Sequence, residues 1–513
     1  MKAPRAEPTT SVGGPADGPV STSFRLASRP ARQRALEMVR AAAGREDRHQ
    51  ATVTFLDTHD WRLHAKNLVL QHEDRDRHEM LVLRTVGRHD GLVLPARGAP
   101  ASTRDLPPGP GAARIARIIG VRALVPMGAA VVVRQTWAVR DKSAKVVARV
   151  EVERTGVGPD WLHVVALRGY ESEAARLGRR LSEMLGAPED PPEPLAAAAA
   201  AVGRRPGDYS SKLAAGIDDN ASAADAITAV LAALVAAMAA NETGVQARSD
   251  VEFLHDYRVA IRRMRSVLSV SDGVLPAGPV ACVRDDLSWM ANLTTPPRDL
   301  DVHLMDLAAD NDPALDPLRA LVAARCDQAH GALNQAMGSA RYRTMIGRIE
   351  ALVAEPTTEG PPAGDLAKAA IWRAYRRVAR GGRAITESSP ADDLHSLRKR
   401  AKKLRYLLEA FTPLFPAAAL DPAVHELKQL QDNLGEFQDG AVQATALTAL
   451  AEELAPTTPA ATVLAIGALK AELGRRERAA RVEFASRFAR FDSPENRRRY
   501  RRLFGPPDDR AGR

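Results

Sequence analysis

The chain is poor in cysteine and in aromatic side chains. Only Cys282 and Cys326 occur in 513 residues. A disulfide framework is therefore excluded, and both thiols are expected as buried cytosolic cysteines. Aromatic residues make up 4% of the sequence, few for an aromatic-rich sandwich or a base-stacking nucleic-acid surface. No Gly-rich phosphate loop and no serine-nucleophile motif is present. The most apolar run, Ala226 to Ala240, is short and alanine-rich, so a core helix is expected rather than a membrane span. The start, MKAPRAEPTT, has no apolar stretch of the secretory kind, and the expected setting is the cytoplasm. What the chain does have is alanine, 45% hydrophobic residues and a formal charge of +9, with a pI near 9.7. Such a balance favours packed helices and hints at anionic partners.

Composition shifts along the chain suggest its organisation. Residues 1–20 are rich in Pro, Gly, Ser and Thr and read as a disordered tail. From 21 to 185, β-branched runs such as ATVTFLD, AAVVVRQTWAV and KVVARVEVER predict an α+β domain with an antiparallel, barrel-like sheet. Helices are expected at Ala31–Ala43 and at Glu171–Leu185, the latter with Ala175, Leu177, Leu181 and Leu185 on one face. The Gly- and Pro-rich region 87–112 reads as a long loop, and 186–209 as a linker. From 210 to 510 the pattern is of long amphipathic helices, an all-α domain with breaks at 271–279, 355–364 and 386–391.

Within that domain the stretch LHDYRVAIRRMRSVL (254–268) returns as LHSLRKRAKKLRYLL (394–408), at an offset of 140. His255 meets His395, Arg258 meets Arg398, Arg262 meets Lys402, Arg263 meets Lys403 and Arg265 meets Arg405. The apolar residues Leu254, Tyr257, Ile261, Met264 and Leu268 meet Leu394, Leu397, Ala401, Leu404 and Leu408. Downstream, Leu287 meets Leu427, Met290 meets Leu430 and Asp299 meets Asp439. One offset over about 45 positions argues for a duplicated helical unit.

At about 100° per residue the apolar positions centre near roughly 220° from the histidine, and the histidine with its +3, +7 and +10 neighbours covers roughly 280° to 360°. The +8 position falls near roughly 80°. Two such helices facing each other would present a basic groove of at least eight cations and two imidazoles. Acidic residues are absent from LHSLRKRAKKLRY, so an external polyanion is the natural counter-charge. Arg suits phosphate oxygens bidentately, Lys acts as a mobile point charge, and His gains charge beside phosphate. A charge run on one helix is most often a solvated face; the duplication is what weighs against that here.

The stretches HDYRVAIRRMRSVL, PPRDLDVHL, LHSLRKRAKKLRYLLEAF and LKQLQDNLGEFQDGAV resemble, in order, the signature segments of the CHAD family. The resemblance spans about 210–510 and implies two four-helix bundles related by a pseudo-two-fold, with inorganic polyphosphate held in a central basic cavity. Carried over to this sequence, it implies ligands at His255, Arg258, Arg262, Arg263, Arg265, His395, Arg398, Lys399, Lys402, Lys403 and Arg405, with Tyr406 on the same face. Arg298, Asp299 and Asp439 are expected to orient helices or basic side chains. It implies no catalysis, no cofactor and no membrane, and leaves association with polyphosphate granules open.

Residues 21–185 resemble the CYTH family, a β-tunnel for triphosphate and divalent metal, through FLDTHDWRLHAKNLVLQHE (55–73). Tunnel chemistry needs inward carboxylates on alternate strand positions to hold Mg²⁺ or Mn²⁺. This sequence departs from that pattern. STSFRLA (21–27) and LHVVALRG (162–169) carry no acid, and Gln71, His72 and Glu73 stand where the family is Arg-rich. Glu151 and Glu153 alone keep the acidic alternation, with Arg134 and Arg149 as anion contacts. The expectation is a degenerate, non-catalytic tunnel without bound metal. The alternative is a metal-dependent tripolyphosphate or polyphosphate hydrolase acting there. Nucleic acid is the competing polyanion, disfavoured by the scarcity of stacking residues. The scattered His59, His64, His72, His78 and His89 are expected at the surface, and SPENRRRYRRLF (493–504) as a solvated basic helix capped by Ser493.

Overall fold

The computed structural model describes residues 21–506 apart from 76–77, 89–90, 156–158, 219 and 355–359. The tail at 1–20 and part of the break at 355–364 lie outside the described residues. The chain divides into two units, Met1–Ser210 and Ser211–Arg513.

The first unit is built on eight antiparallel strands: β1 (Ser21–Arg25), β2 (Ala43–Asp57), β3 (Leu68–Arg75), β4 (His78–Thr85), β5 (Gly91–Pro95), β6 (Val125–Arg140), β7 (Val146–Arg154) and β8 (Trp161–Ala166). They pair in the order β1-β8-β7-β6-β2-β3-β4-β5, an open half-barrel. Period-two alternation sorts its faces. Leu162, Val164, Val150, Val152 and Trp137 pack against helices α1 (Arg29–Ala42) and, C-terminal to β8, Glu171–Leu185. Leu70, Leu81, Leu83 and Leu94 pack against α2 (Pro110–Ile119) through Ile115 and Ile119. On α3 (Glu171–Leu185) the buried face is Ala174, Leu177, Gly178 and Leu181. Ala175, expected on that face, is exposed, because Ala174 sits three residues before Leu177 and takes its place.

Two stretches differ from the sequence reading. Region 87–112 is not one loop: it contains β5 and the start of α2. Pro110 stands at the first turn of α2, where its missing N–H costs nothing. The linker stretch 186–209 contains α4 (Pro194–Ala201). Leu195, Ala198 and Ala199 of α4 are buried against Val53, Phe55, Val69, Met127 and Val132. The helix therefore plugs one end of the concave face. Gly128, at φ +138°, lies so close to the Ala198 backbone that a Cβ there would collide with it. Arg84 pairs with Glu193, just before α4.

The second unit is all helical: α5 (Ala223–Ala247), α6 (Val251–Leu268), α7 (Ala277–Ala308), α8 (Asp316–Met337), α9 (Ala340–Ala354), α10 (Ala363–Arg383), α11 (Ala391–Ala410), α12 (Ala417–Leu454), α13 (Ala460–Phe491) and α14 (Pro494–Phe504). The starts of α5, α6 and α7 recur 140 residues later in α10, α11 and α12, so the sequence repeat is a repeat of helices. The bundle expected of each half carries a fifth helix: α9 packs on α5 and α7, and α14 packs on α10 and α12. The five matched apolar positions of each histidine segment are at most 1% exposed, inside one common core. Helix α5 is long and apolar enough to cross a membrane, and its Ile227, Val230, Leu231, Leu234 and Met238 are buried in that core. Ser493 caps α14 by accepting from the Asn496 N–H. The expected solvated tail is half-buried instead, since Tyr500 stacks on Tyr375 at 4.0 Å and Phe504 is 2% exposed.

Candidate functional site

The basic residues of α6 and α11 do not form one continuous row. Helical geometry and local partners divide them. The +3 and +7 positions, Arg258, Arg262, Arg398 and Lys402, lie in one electrostatic neighbourhood: beyond burial, Lys402 is pushed down by Arg398, Arg262 and Arg258, and Arg258 by Arg262 and Arg298. Arg258 is buried, its Nη1 donating to the hydroxyls of Thr294 at 3.2 Å and Thr295 at 2.8 Å. Those hydroxyls donate in turn to the carbonyls of Met290 and Ala291. They sit just before Pro296 and Pro297, which lack backbone donors. The Thr-Thr-Pro-Pro segment of α7 is thus a seat for Arg258. In the second half Arg398 makes an ion pair with Asp439 of α12 at 3.1 Å, and its buried Nε has no partner among the described residues.

Burial first, then Arg398 and Arg262, lowers Lys402 to about 8. Burial, then Arg262, lowers Arg258 to about 10, against the pull of Asp299. Asp299 is raised by burial despite Arg258, Arg262 and Arg298 around it, with Asp439 adding to the rise. Arg298 donates to the Val251 carbonyl at 3.0 Å and lies 3.8 Å from Glu252, at the start of α6. His395 Nδ1 is 2.7 Å from Gln438 Oε1. His255 is exposed on the matching turn of α6, and Tyr406 is near enough to Arg258 to act on it.

The remaining candidates go elsewhere. Arg263 donates to Glu409 at 2.7 Å, tying α6 to α11. Arg405 binds the same carboxylate at 2.6 Å. Lys403 is lowered by burial and then by Arg377, Arg284 and Arg373, none of which acts on Lys402. It belongs to a separate cationic group, as its +8 position requires. Lys399 and Arg265 are exposed. The expected single groove of eight cations is therefore corrected to a nucleus of four with satellites. The expected lack of internal counter-charge is corrected too: Glu409, Asp299 and Asp439 supply it. Glu409 stands three residues beyond LHSLRKRAKKLRY, and folding brings in the two aspartates that the resemblance already marks. Asp299 and Asp439 thus face the cations directly, while Arg298 fixes the entry of α6.

In the first unit, the unplugged part of the concave face lines a cavity of about 720 Å³. Asp47, His49, Glu73, Arg75, Arg84, Arg134, Arg149, Glu151, Glu153 and His163 point into it. Glu73, read from the sequence only as a replaced position, joins Glu151 and Glu153 here. Arg134 bridges Glu73 at 2.9 Å and Glu153 at 3.0 Å, and Arg75 holds Glu73 at 2.6 Å. Arg134 keeps Glu73 below the usual carboxylate range against its burial. Glu151, by contrast, is raised by burial. Ser23 of β1 offers only a hydroxyl, 2.9 Å from His163 Nδ1. Arginine thus occupies the place between carboxylates that a cation would need. Of the histidines expected at the surface, His72 is buried, 3.4 Å from Glu79, and His89 lies outside the described residues.

Comparison with known proteins finds similarity in both units. Residues 229–448 match the CHAD domain. An uncharacterized protein of Mycobacterium tuberculosis is 31% identical over 206 residues, which are 37% of this chain and 38% of that protein. The chain thus spans well under half the length of that relative. The crystal structure of the CHAD domain from Ricinus communis is 24% identical, covering 56% of this chain and 96% of that one at a TM-score of 0.49. HpAC1 from Hippeastrum, described as having a dominant triphosphatase activity, is 18% identical over 37% of this chain and 99% of its own, at a TM-score of 0.28.

Proposed function

We propose, for a chain whose residues 229–448 match the CHAD domain, that the cationic nucleus of α6 and α11 binds inorganic polyphosphate without cleaving it. The observation that carries this reading is the crowding of Arg258, Arg262, Arg398 and Lys402. Arg258 and Lys402 are depressed by burial and by neighbouring cations, against the pull of Asp299 and Tyr406 on the first and of Asp439 on the second. Like charges held together in partial burial store repulsion that a polyanion relieves on binding. His255, His395 and Tyr406 flank the nucleus and add hydrogen-bond donors to phosphate. Arg265, Lys399, Arg405, Arg263 and Lys403 extend the positive field along the two helices. Aromatic residues make up 4% of the sequence, so a chain of phosphates suits the site better than a chain of nucleotides. Polyphosphate is expected to displace single-stranded DNA in competition, and preferential retention of DNA would favour the nucleic-acid reading.

The second reading is metal-dependent hydrolysis of tripolyphosphate in the half-barrel. Its support is the convergence of Glu73, Glu151 and Glu153 on one cavity. Against it, Arg134 already neutralises two of the three. Phosphate release from tripolyphosphate with Mg²⁺ or Mn²⁺ decides between the readings. Binding without release is expected; metal-dependent release, abolished by Glu151→Gln, would transfer the function to the first unit.

A further inference from the structure

Away from the cationic nucleus, three potential ligands meet inside the second unit. Cys326 and His330 stand one turn apart on α8, on the same face. Asp301 of α7 lies opposite. One donor atom from each falls within 4.8 Å of the other two. Cys326 Sγ is 3.3 Å from Asp301 Oδ1, and His330 Nε2 is 2.9 Å from the same oxygen. All three residues are buried, Cys326 fully, His330 at 4% exposure and Asp301 at 6%. Asp301 Oδ2 and His330 Nδ1 have no partner among the described residues. Two orphaned polar atoms on adjoining buried side chains are unusual for a plain hydrogen-bonded triad, because a buried polar group that makes no bond keeps its full desolvation cost.

We propose that Asp301, Cys326 and His330 form a site for a borderline divalent metal ion of the Zn²⁺ class, clamping α7 to α8. The donor set is mixed sulfur, nitrogen and oxygen, which suits Zn²⁺ and not Mg²⁺ or Ca²⁺. On binding, the Cys326 thiol gives its proton to solvent and its thiolate bonds the metal. The neutral His330 imidazole donates a ring-nitrogen lone pair, and the Asp301 carboxylate gives up its hydrogen bonds from thiol and imidazole for a bond to the ion. One thiolate, one carboxylate and one divalent cation sum to zero charge, whereas the metal-free triad buries a carboxylate opposite a neutral thiol. Arg248, with Nη2 3.7 Å from Cys326 Sγ and its other end on Asp327 at 2.6 Å, is placed to hold the thiolate from outside. The fourth coordination position is left for water.

The full-length chain, stripped by a chelator under reducing conditions, is titrated with Zn²⁺ against a chromophoric indicator, and separately with Co²⁺. Expected are one equivalent bound, one proton released per ion, a near-ultraviolet cobalt–thiolate band and a higher Tm with Zn²⁺. Cys326→Ser removes the band, His330→Gln weakens binding at least tenfold, and Cys282→Ser, at an exposed thiol, changes neither. Circular dichroism checks that the variants fold. Should Cys326→Ser misfold, the wild-type cobalt spectrum decides alone. No thiolate band, or equal binding by wild type and His330→Gln, overturns the proposal and assigns any bound metal to surface histidines.

Discussion

At the residue scale, Lys402 is the most informative side chain of the proposed site. Its ammonium is lowered to about 8, below the ordinary 10.5, by burial and by Arg398 and Arg262. Between those values the unfolded chain binds more protons than the folded one, so this residue makes stability rise with pH across roughly pH 8 to 10.5. Lys402→Met is expected to raise Tm at pH 7, to remove that rise and to weaken polyphosphate binding; thermal unfolding across pH checks the first two. Binding restores the charge, so affinity is expected to fall as pH climbs from 7 to 9, with proton uptake seen as a buffer-dependent heat. Lys402→Arg should keep the affinity and flatten its pH dependence. Asp299→Asn removes an internal competitor for Arg258 and Arg262. It is expected to tighten polyphosphate binding several-fold by calorimetry, and an unchanged affinity would detach Asp299 from the site.

At the element scale, what was legible followed from periodicity. The 3.6-residue spacing and the fixed offset placed the five matched apolar residues of each histidine segment on the buried face of α6 and α11, and set Lys403 apart from the nucleus. What was not legible lacked a period or depended on partners remote in sequence. The alanine run of α4 reads as linker because alanine marks no face; only Leu195 and the close approach at Gly128 reveal the plug. Gly and Pro hid β5 and the first turn of α2. Thr294 and Thr295 join the cations only through the packing of α7 against α6, whereas the shared offset and the resemblance already mark Asp299 and Asp439. In the half-barrel, β3, β6 and β7 meet at Arg134, whose partners Glu73 and Glu153 are both shielded. Arg134→Ala removes the bridge between Glu73 and Glu153, leaving Glu73 with Arg75, and is expected to destabilise the first unit by roughly 3 kcal/mol. Denaturant unfolding measures this; a loss near zero would mean that water compensates both carboxylates.

At the scale of the whole molecule, the chain joins a duplicated helical unit to a half-barrel, and both carry arginine-rich sites with different accounts of charge. The half-barrel balances its arginines with its own carboxylates. The cationic nucleus of the helical unit keeps a local excess over Asp299 and Asp439, although residues 211–513 as a whole hold 40 Lys and Arg against 39 Asp and Glu, so that most of the overall +9 lies in the first unit. Binding governed by that excess must depend on salt, because neutralised phosphates release their counterions. The most direct test is titration of the purified chain with long-chain polyphosphate at two salt concentrations, beside the Arg262→Ala/Lys402→Ala double variant. Tight binding that weakens with salt, and that falls at least tenfold with a shallower salt slope in the double variant, is the result predicted. Binding indifferent to the two substitutions would contradict it and return α6 and α11 to the role of solvated basic helices.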